Sequence, residues 1–374
     1  MRKLAYRLLV YGNIVLAASL LLSYLSVHVS PDKFWPAAFF GLAYPYLLLF
    51  NLMFCLFWLM FRKRVFFISL LAILAGWNFI SNHFQIRRLS RPEKTGIISS
   101  DRHIRQDKEQ LKIMSFNIRA FNLYNWNHDQ QSLNSIVNYI RDEDPDIICL
   151  QEFYAQKEGS ISLLDIYFEL GNTPYRHLHQ TLGGQGNDSY GIATFSSYPI
   201  VNQGFISFGN TINVCIYTDI KVNKDTLRIY NNHLQSIHLS SRNYTYLDSL
   251  SLRYNEQQIN ELMDISSRLR DAFIKRARQA SLISDHIHKS PYPVIVCGDF
   301  NDTPSSYTYY KIRKDLSDAF VEAGSGLGNT YSGKFPSFRI DYILHQQAIK
   351  SVYFKRTRTA LSDHYPITAY LQLH

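Results

Sequence analysis

VIVCGDFNDTP (residues 294–304) decides how this chain reads. Val294 to Cys297 form an apolar run of strand type. Gly298, Asp299, Phe300, Asn301 and Asp302 follow with no turn signal before them. A core strand that ends on a carboxylate and an amide is either a solvated strand end or a strand tip that delivers chemistry. Residues two apart on an extended chain point the same way. The sequence therefore predicts Asp299 and Asn301 on one face, Phe300 in the core, and Gly298 as the point where the strand stops and turns. Asp302 has no part in this pattern and reads as a bystander.

The same design recurs along the chain. SFN ends a strand on Asn117, LQE on Glu152 and NNH on His233. RID opens a strand with Asp341, and SDHYP sets Asp363-His364 just before the last one. Each alone has an ordinary explanation, because strand ends and loops are polar in any case. Six together repeat one arrangement, an apolar strand with a metal- or proton-handling side chain at its tip. Hard divalent cations take carboxylate and amide oxygens. Phosphoester hydrolysis needs a base for water, donors for phosphoryl oxygens, and an acid or metal for the leaving group. Glu152, Asp299, Asn301, Asp341, His233 and His364 supply these types with little surplus.

Strands are expected at 111–118, 146–152, 190–196, 212–220, 226–234, 294–300, 340–344 and 367–373. Helices are expected at 132–145 and about 256–288. Paired strands with interspersed helices indicate an α/β fold of two packed sheets with helices outside.

SFNI, LQE, NNHL, GDFND, RIDYI and SDHYPI occur in the order, and with roughly the spacing, of the endonuclease/exonuclease/phosphatase superfamily, which residues 111–374 resemble. The resemblance implies a four-layer α/β sandwich, two mainly antiparallel sheets face to face, with a Mg2+ or Mn2+ site at one rim. It implies Glu152 as principal metal ligand, with Asn117 and Asp363 beside the ion. Asp299 would orient or deprotonate water, and Asn301 would donate to the phosphate. His364, paired with Asp341, would stabilise the transition state or pass a proton. His233 would contact the scissile phosphate, and Tyr190 sits near a phosphate-contacting tyrosine of some nuclease branches.

The first ninety residues differ in kind. Leu8–Val29, Phe34–Phe61 and Val65–Phe84 are each near the roughly 20 apolar residues a spanning helix needs. Trp35 and Trp58 are spaced like two interfacial belts. The expected organisation is a membrane region with three transmembrane helices at 1–85, a linker at 86–110 and a catalytic domain at 111–374. Arg2, Lys3 and Arg7, with Arg62-Lys63-Arg64, favour a catalytic domain outside the cytoplasm; Arg87, Arg88, Arg91 and Lys94 oppose it. Cys55, Cys149, Cys215 and Cys297 sit singly in apolar runs and read as core residues.

The net charge of +9 is unevenly placed. Nine bases and one acid precede Arg91, and 30 bases and 29 acids run from Arg91 onward. A near-neutral catalytic region disfavours a long nucleic-acid groove, which needs many phosphate contacts. Arg268, Arg270, Lys275, Arg276 and Arg278 could line a groove, though such a run is more often a solvated helix face. Residues 236–257 form a long insertion after His233, and Phe121, Tyr124 and Trp126 a possible second rim. The expected function is a membrane-anchored, metal-dependent hydrolase of lipid or small phosphoesters. The alternatives are an anchored extracytoplasmic nuclease and an inactive binding module. The partners implied are the lipid bilayer and a phosphoester substrate (lipid head group, small phosphoester or nucleic acid), with no protein partner.

Overall fold

The computed structural model describes residues 2–86, 110–121, 130–157, 162–183, 188–209, 211–237, 243, 256–333 and 337–373. The linker residues 87–109, Tyr124, Trp126 and most of the 236–257 insertion lie outside them. The chain divides into two compact units. One is Met1–His83 with Ser236–Ser281 and Asp302–Ile312; the other is Phe84–Gln235 with Leu282–Asn301 and Arg313–His374.

In the first unit, α1 (Arg2–Leu25) and α3 (Pro36–Met60) are each long and apolar enough to cross a membrane. The short α2 (Pro31–Phe34) lies between them. The third expected span is broken. Its two parts, α4 (Phe66–Ala75) and α5 (Trp77–His83), bend by 67° at Gly76, so they make one span only as a bent pair. A Cβ at Gly76 would lie 2.0 Å from Cζ of Tyr24, so this close approach needs glycine. Asn13, Asn51 and Ser69 are buried among these apolar helices and bonded together: Asn13 Nδ2 donates to Ser69 Oγ at 3.1 Å, and that hydroxyl to Asn51 Oδ1 at 3.0 Å. Such hydrogen bonds join helices where lipid offers no alternative partner. Trp58 is buried against Tyr6 (5.6 Å between rings) instead of facing outward, whereas Trp35 is exposed.

The remaining elements are β1 (Phe84–Ile86), β2 (Gln110–Asn117), α6 (Gln130–Glu143), β3 (Ile147–Gln156), α7 (Leu163–Glu169), β4 (Tyr175–Gly183), β5 (Asp188–Ser196), β6 (Ile200–Ser207), β7 (Val214–Val222), β8 (Asp225–His233), α8 (Glu256–His288), β9 (Val294–Asp299), α9 (Tyr307–Arg313), β10 (Leu316–Asp318), α10 (Ala319–Ala323), β11 (Ser325–Leu327), β12 (Asp341–Gln346), β13 (Lys350–Arg356) and β14 (Ile367–Gln372). Two six-stranded sheets form in the second unit, with orders β13-β14-β2-β3-β5-β4 and β10-β12-β9-β8-β7-β6. Each has one parallel pair at its centre, β2 with β3 and β8 with β9; every other pairing is antiparallel.

The layers follow from strand periodicity. Leu111 and Ile113 of β2 face the second sheet and join a core with Ile229, Ile295, Cys297, Ile343 and Ile367. Met114 and Phe116, on the other face, pack under α6 and α7 with Ile136, Ile140 and Ile166. The last turns of α8 cover the outside of the second sheet, where the Tyr230 hydroxyl meets His286 Nδ1 at 2.8 Å. The result is the expected four-layer α/β sandwich. Phe121 is buried in the core beside Phe153 and lines no rim.

Candidate active site

Parallel neighbours end at the same sheet edge, and that places the site. In register, Asn117 lies opposite Gln151, and His233 opposite Asp299. The antiparallel β12 begins where β9 ends, with Asp341 opposite Asp299. The loop before β14, paired with β2, carries Asp363 and His364. Both sheets thus deliver their polar tips to one rim.

The backbone is unusual there. Leu150 and Phe153 bracket a register shift between β3 and β5, and Glu152 inside it has φ 51°. This bulge turns the Glu152 side chain out of the strand's alternation. Gly298 has φ +136°, and a Cβ there would lie 2.1 Å from the Asn232 carbonyl oxygen. The strand does not stop at Gly298, as the sequence suggested. It runs on through Asp299, and glycine is required because the neighbouring strand's backbone leaves no room. Asn301, with φ 53°, is not on an extended chain either. Its N–H donates to Asp299 Oδ1 at 2.8 Å, and its Nδ2 to Asp299 Oδ2 at 3.1 Å and the Leu234 carbonyl at 3.0 Å. Phe300 is buried, as expected.

Asp299 is the hub. Asn117 Nδ2 donates to Asp299 Oδ2 at 3.0 Å and to Glu152 Oε1 at 3.1 Å. Asn117 Oδ1 accepts the Arg119 N–H at 3.0 Å, which fixes which way the amide faces. Asn117 therefore turns its nitrogen toward the carboxylates and clamps them together. His233 Nε2 lies 3.6 Å from Glu152 Oε1. On the other side His364 Nδ1 contacts Asp341 Oδ2 at 3.0 Å and Oδ1 at 3.2 Å, while its Nε2 lies 3.8 Å from Asp299 Oδ2. Donor atoms of Asp299, Asp341 and His364 all lie within 4.8 Å of one another.

The electrostatics separate the roles. Burial pushes Asp299 up to about 7; Asp341 adds to this, while His364, the Asn301 amide and Asn117 oppose it. A carboxylate near neutrality suits a general base. Burial pulls His364 down, but Asp341 and Asp299 outweigh it and push His364 up to about 10. His364 is thus a held cation, oriented through Nδ1 with Nε2 toward Asp299.

Asp363 stands on the same rim but is engaged elsewhere. Arg119 Nε lies 3.3 Å from its carboxylate. Tyr190 pairs with Tyr154, two residues beyond Glu152, on the flank of the rim, and is half-buried. Glu152 keeps 19% of its side chain exposed. A partly exposed carboxylate held by the Asn117 amide offers the oxygen donors that a hard divalent cation prefers.

Several contributors carried no sequence signal. Arg119, Ala120 and Phe121 all have positive φ, a left-handed turn that brings the Arg119 N–H back onto Asn117. Ser362 Oγ donates to the Asn117 carbonyl at 2.8 Å and accepts from the His364 N–H at 3.2 Å, tying the SDH loop to β2. Thr330 Oγ1 accepts the Ile340 and Asp341 N–H groups, and Tyr331 forms a bridge and a ring contact (5.4 Å) with His364.

A paired rim of this kind, on two packed mixed sheets, defines a class of phosphoesterase folds, and sequence comparison agrees. The model of the Endonuclease/Exonuclease/phosphatase family matches residues 114–364. Residues 6–83 match a family described as a domain of unknown function (DUF8431). The chain belongs to the endonuclease/exonuclease/phosphatase family. Among solved structures it is similar to an endonuclease/exonuclease/phosphatase from Beutenbergia cavernae, 16% identical with TM-score 0.53, covering 71% of this chain and 72% of that one. It is also similar to a family member from Bacteroides thetaiotaomicron, 16% identical with TM-score 0.51, covering 71% and 98%. At this identity the likeness concerns the fold. A search of curated protein sequences gave no match.

Proposed function

We propose that the chain is a membrane-anchored, divalent-metal-dependent phosphoester hydrolase that acts on lipid head groups or small phosphoesters, with its catalytic unit outside the cytoplasm. The observation that carries this reading is Asp299, buried between the Asn117–Glu152 clamp and the Asp341–His364 pair. Asp299 takes the proton of the attacking water. His364, held cationic by Asp341, neutralises charge developing on the phosphoryl oxygens. Asn301 and Asn117 fix the Asp299 carboxylate, and His233 faces the phosphate beside Glu152. Glu152 would hold Mg2+ or Mn2+, with Asn117 and Asp363 nearby; such an ion supplies Lewis-acid stabilisation of the phosphoryl oxygens.

The basic residues of α8 do not support a nucleic-acid groove. Arg276 is buried on Asp302, Arg278 is paired with Asp32, and Arg268 with Asp264. The full chain in nanodiscs, assayed in parallel on phospholipid vesicles and plasmid DNA, tests the substrate. Release of a phosphorylated head group with intact plasmid is expected. Plasmid nicking without lipid turnover would favour the nuclease.

A further inference from the structure

The two segments that leave the rim motifs do not stay with the hydrolase unit. After Gln235 the chain leaves this unit, and the described residues 256–281 group with the N-terminal helices. One residue after Asn301, Asp302–Ile312 does the same. Inside that first unit the second segment is seated on the helices by several contacts. Ser26 Oγ, just past the end of α1, donates to the Ser305 carbonyl at 3.2 Å. His83, the last residue of α5, meets Ser305 Oγ through Nε2 at 2.9 Å. A Cβ on Gly41 of α3 would lie 2.4 Å from the same Ser305 carbonyl oxygen. Asn82 Nδ2 donates to the Tyr310 hydroxyl at 3.2 Å, and the Tyr310 ring stacks on Phe79 at 5.5 Å. The first segment is held too, through Phe39 against Phe273 (5.3 Å) and Asp32 on Arg278 (2.7 Å). Arg276 and Asp302 then join the two segments through a buried ion pair at 3.1 Å.

A passive tether would need none of this. Two hydrogen bonds, from Ser26 just past α1 and from His83 of α5, and the close approach of Gly41 of α3 converge on Ser305, four residues after Asn301. Gly41 has no side chain because the loop's backbone occupies that space.

We infer that the N-terminal helices are a positioning part of the catalytic machinery: through Ser26, Gly41 and His83 they hold the Asp302–Ile312 segment and so fix the covalently adjoining Asp299-Phe300-Asn301 turn. Ser305 is a positioning residue in this scheme. It touches no substrate and acts through the chain leading back to Asn301 and Asp299. The inference rests on the proposed hydrolytic role of Asp299.

The test uses the full chain in nanodiscs with bis(p-nitrophenyl) phosphate, a soluble diester that needs no bilayer to reach the enzyme. Gly41→Ala pushes on the Ser305 carbonyl, Ser305→Ala removes the hydroxyl that meets His83, and Ser305→Thr restores a hydroxyl. Leu56→Ala, on an exposed position of α3, is the control. Small displacements of a reacting group cost large factors in rate. Gly41→Ala and Ser305→Ala should therefore lower kcat about ten-fold or more, with KM and the melting temperature nearly unchanged. Ser305→Thr should recover most of the loss, and Leu56→Ala should match wild type. A merely structural defect would lower the melting temperature and leave kcat of the folded fraction intact, which overturns the inference. If Gly41→Ala does not fold, the two Ser305 variants decide alone. Asp299→Asn runs beside them. Full activity in the Ser305 variants with a silent Asp299→Asn refutes the anchor's role alone, whereas full activity in Asp299→Asn refutes the hydrolytic reading and this inference together.

Discussion

Asp341 and His364 should behave as one unit, and a double-mutant cycle measures whether they do. The His364 Nδ1 to Asp341 Oδ2 distance is 3.0 Å, and both side chains are buried. Two unit charges at that distance attract by about 5 kcal/mol at an effective dielectric of about 20. Desolvation offsets much of this, but removing one partner strands the other, at a cost of about 3–5 kcal/mol. In rate, losing a positioned acid or base removes roughly 10²–10⁴. Asp341→Ala and His364→Ala should each fall in that range, measured as kcat/KM on bis(p-nitrophenyl) phosphate with the full chain in nanodiscs. The double variant should be little worse than either single one, because residues that act together are non-additive. That outcome corresponds to a coupling of about 3–5 kcal/mol. Denaturation curves for all three variants separate lost chemistry from lost fold. Rate losses that multiply, leaving a coupling below about 0.5 kcal/mol, would refute the reasoning.

Three other outcomes are expected. Asp302→Asn removes one charge of the buried Arg276–Asp302 ion pair, so the full chain should lose about 3–5 kcal/mol of stability in chemical denaturation; a loss under about 1 kcal/mol would show that the pair is not buried as described. Burial pushes Glu322 up, but hydrogen bonds from His345, the Ser351 amide and Ser317 outweigh it and hold the carboxyl at about 2, below its ordinary 4.5. A depressed carboxylate stabilises the fold above its unfolded value, and that contribution fades as pH falls from about 4.5 toward 2. Glu322→Gln should remove this part of the acid limb, and an unchanged stability difference across that window would contradict it. A reporter fused after His374 should report an extracytoplasmic position, and a cytoplasmic signal would reverse the orientation.

What could be read from the sequence follows burial. The eight strands recognised, β2, β3, β5, β7, β8, β9, β12 and β14, are the eight inner strands of the two sheets. Covered on both faces, they are nearly continuous apolar runs. Of these two sheets, the four strands not recognised, β4, β6, β10 and β13, are the four edges; the short β1 and β11, which pair with each other, were also not recognised. β6 has no buried residue and is exposed at Val201, Asn202 and Gln203 in succession, so its pattern resembles a loop. The rim residues were legible because each stands at or beside the end of an inner strand. Their geometry was not. The Glu152 bulge, the left-handed turn at Arg119 and the crowding that demands Gly298 are set by neighbouring backbone, which no local pattern encodes. The structural role of Asp302 was hidden for the same reason. Its partner Arg276 is far along the chain and looked like one member of a solvated basic face. The bend at Gly76 likewise depends on the ring of Tyr24, from a different helix.

The central claim is that Asp299 works as the base of a metal-dependent phosphoesterase. The most direct measurement is turnover of bis(p-nitrophenyl) phosphate by the full chain in nanodiscs, before and after exhaustive chelation, for wild type and Asp299→Asn. Wild-type turnover should vanish on chelation and return with Mg2+ or Mn2+, and folded Asp299→Asn should be slower by roughly 10²–10⁴ under all conditions. Turnover that survives chelation, or a folded Asp299→Asn protein as fast as wild type, would contradict the account.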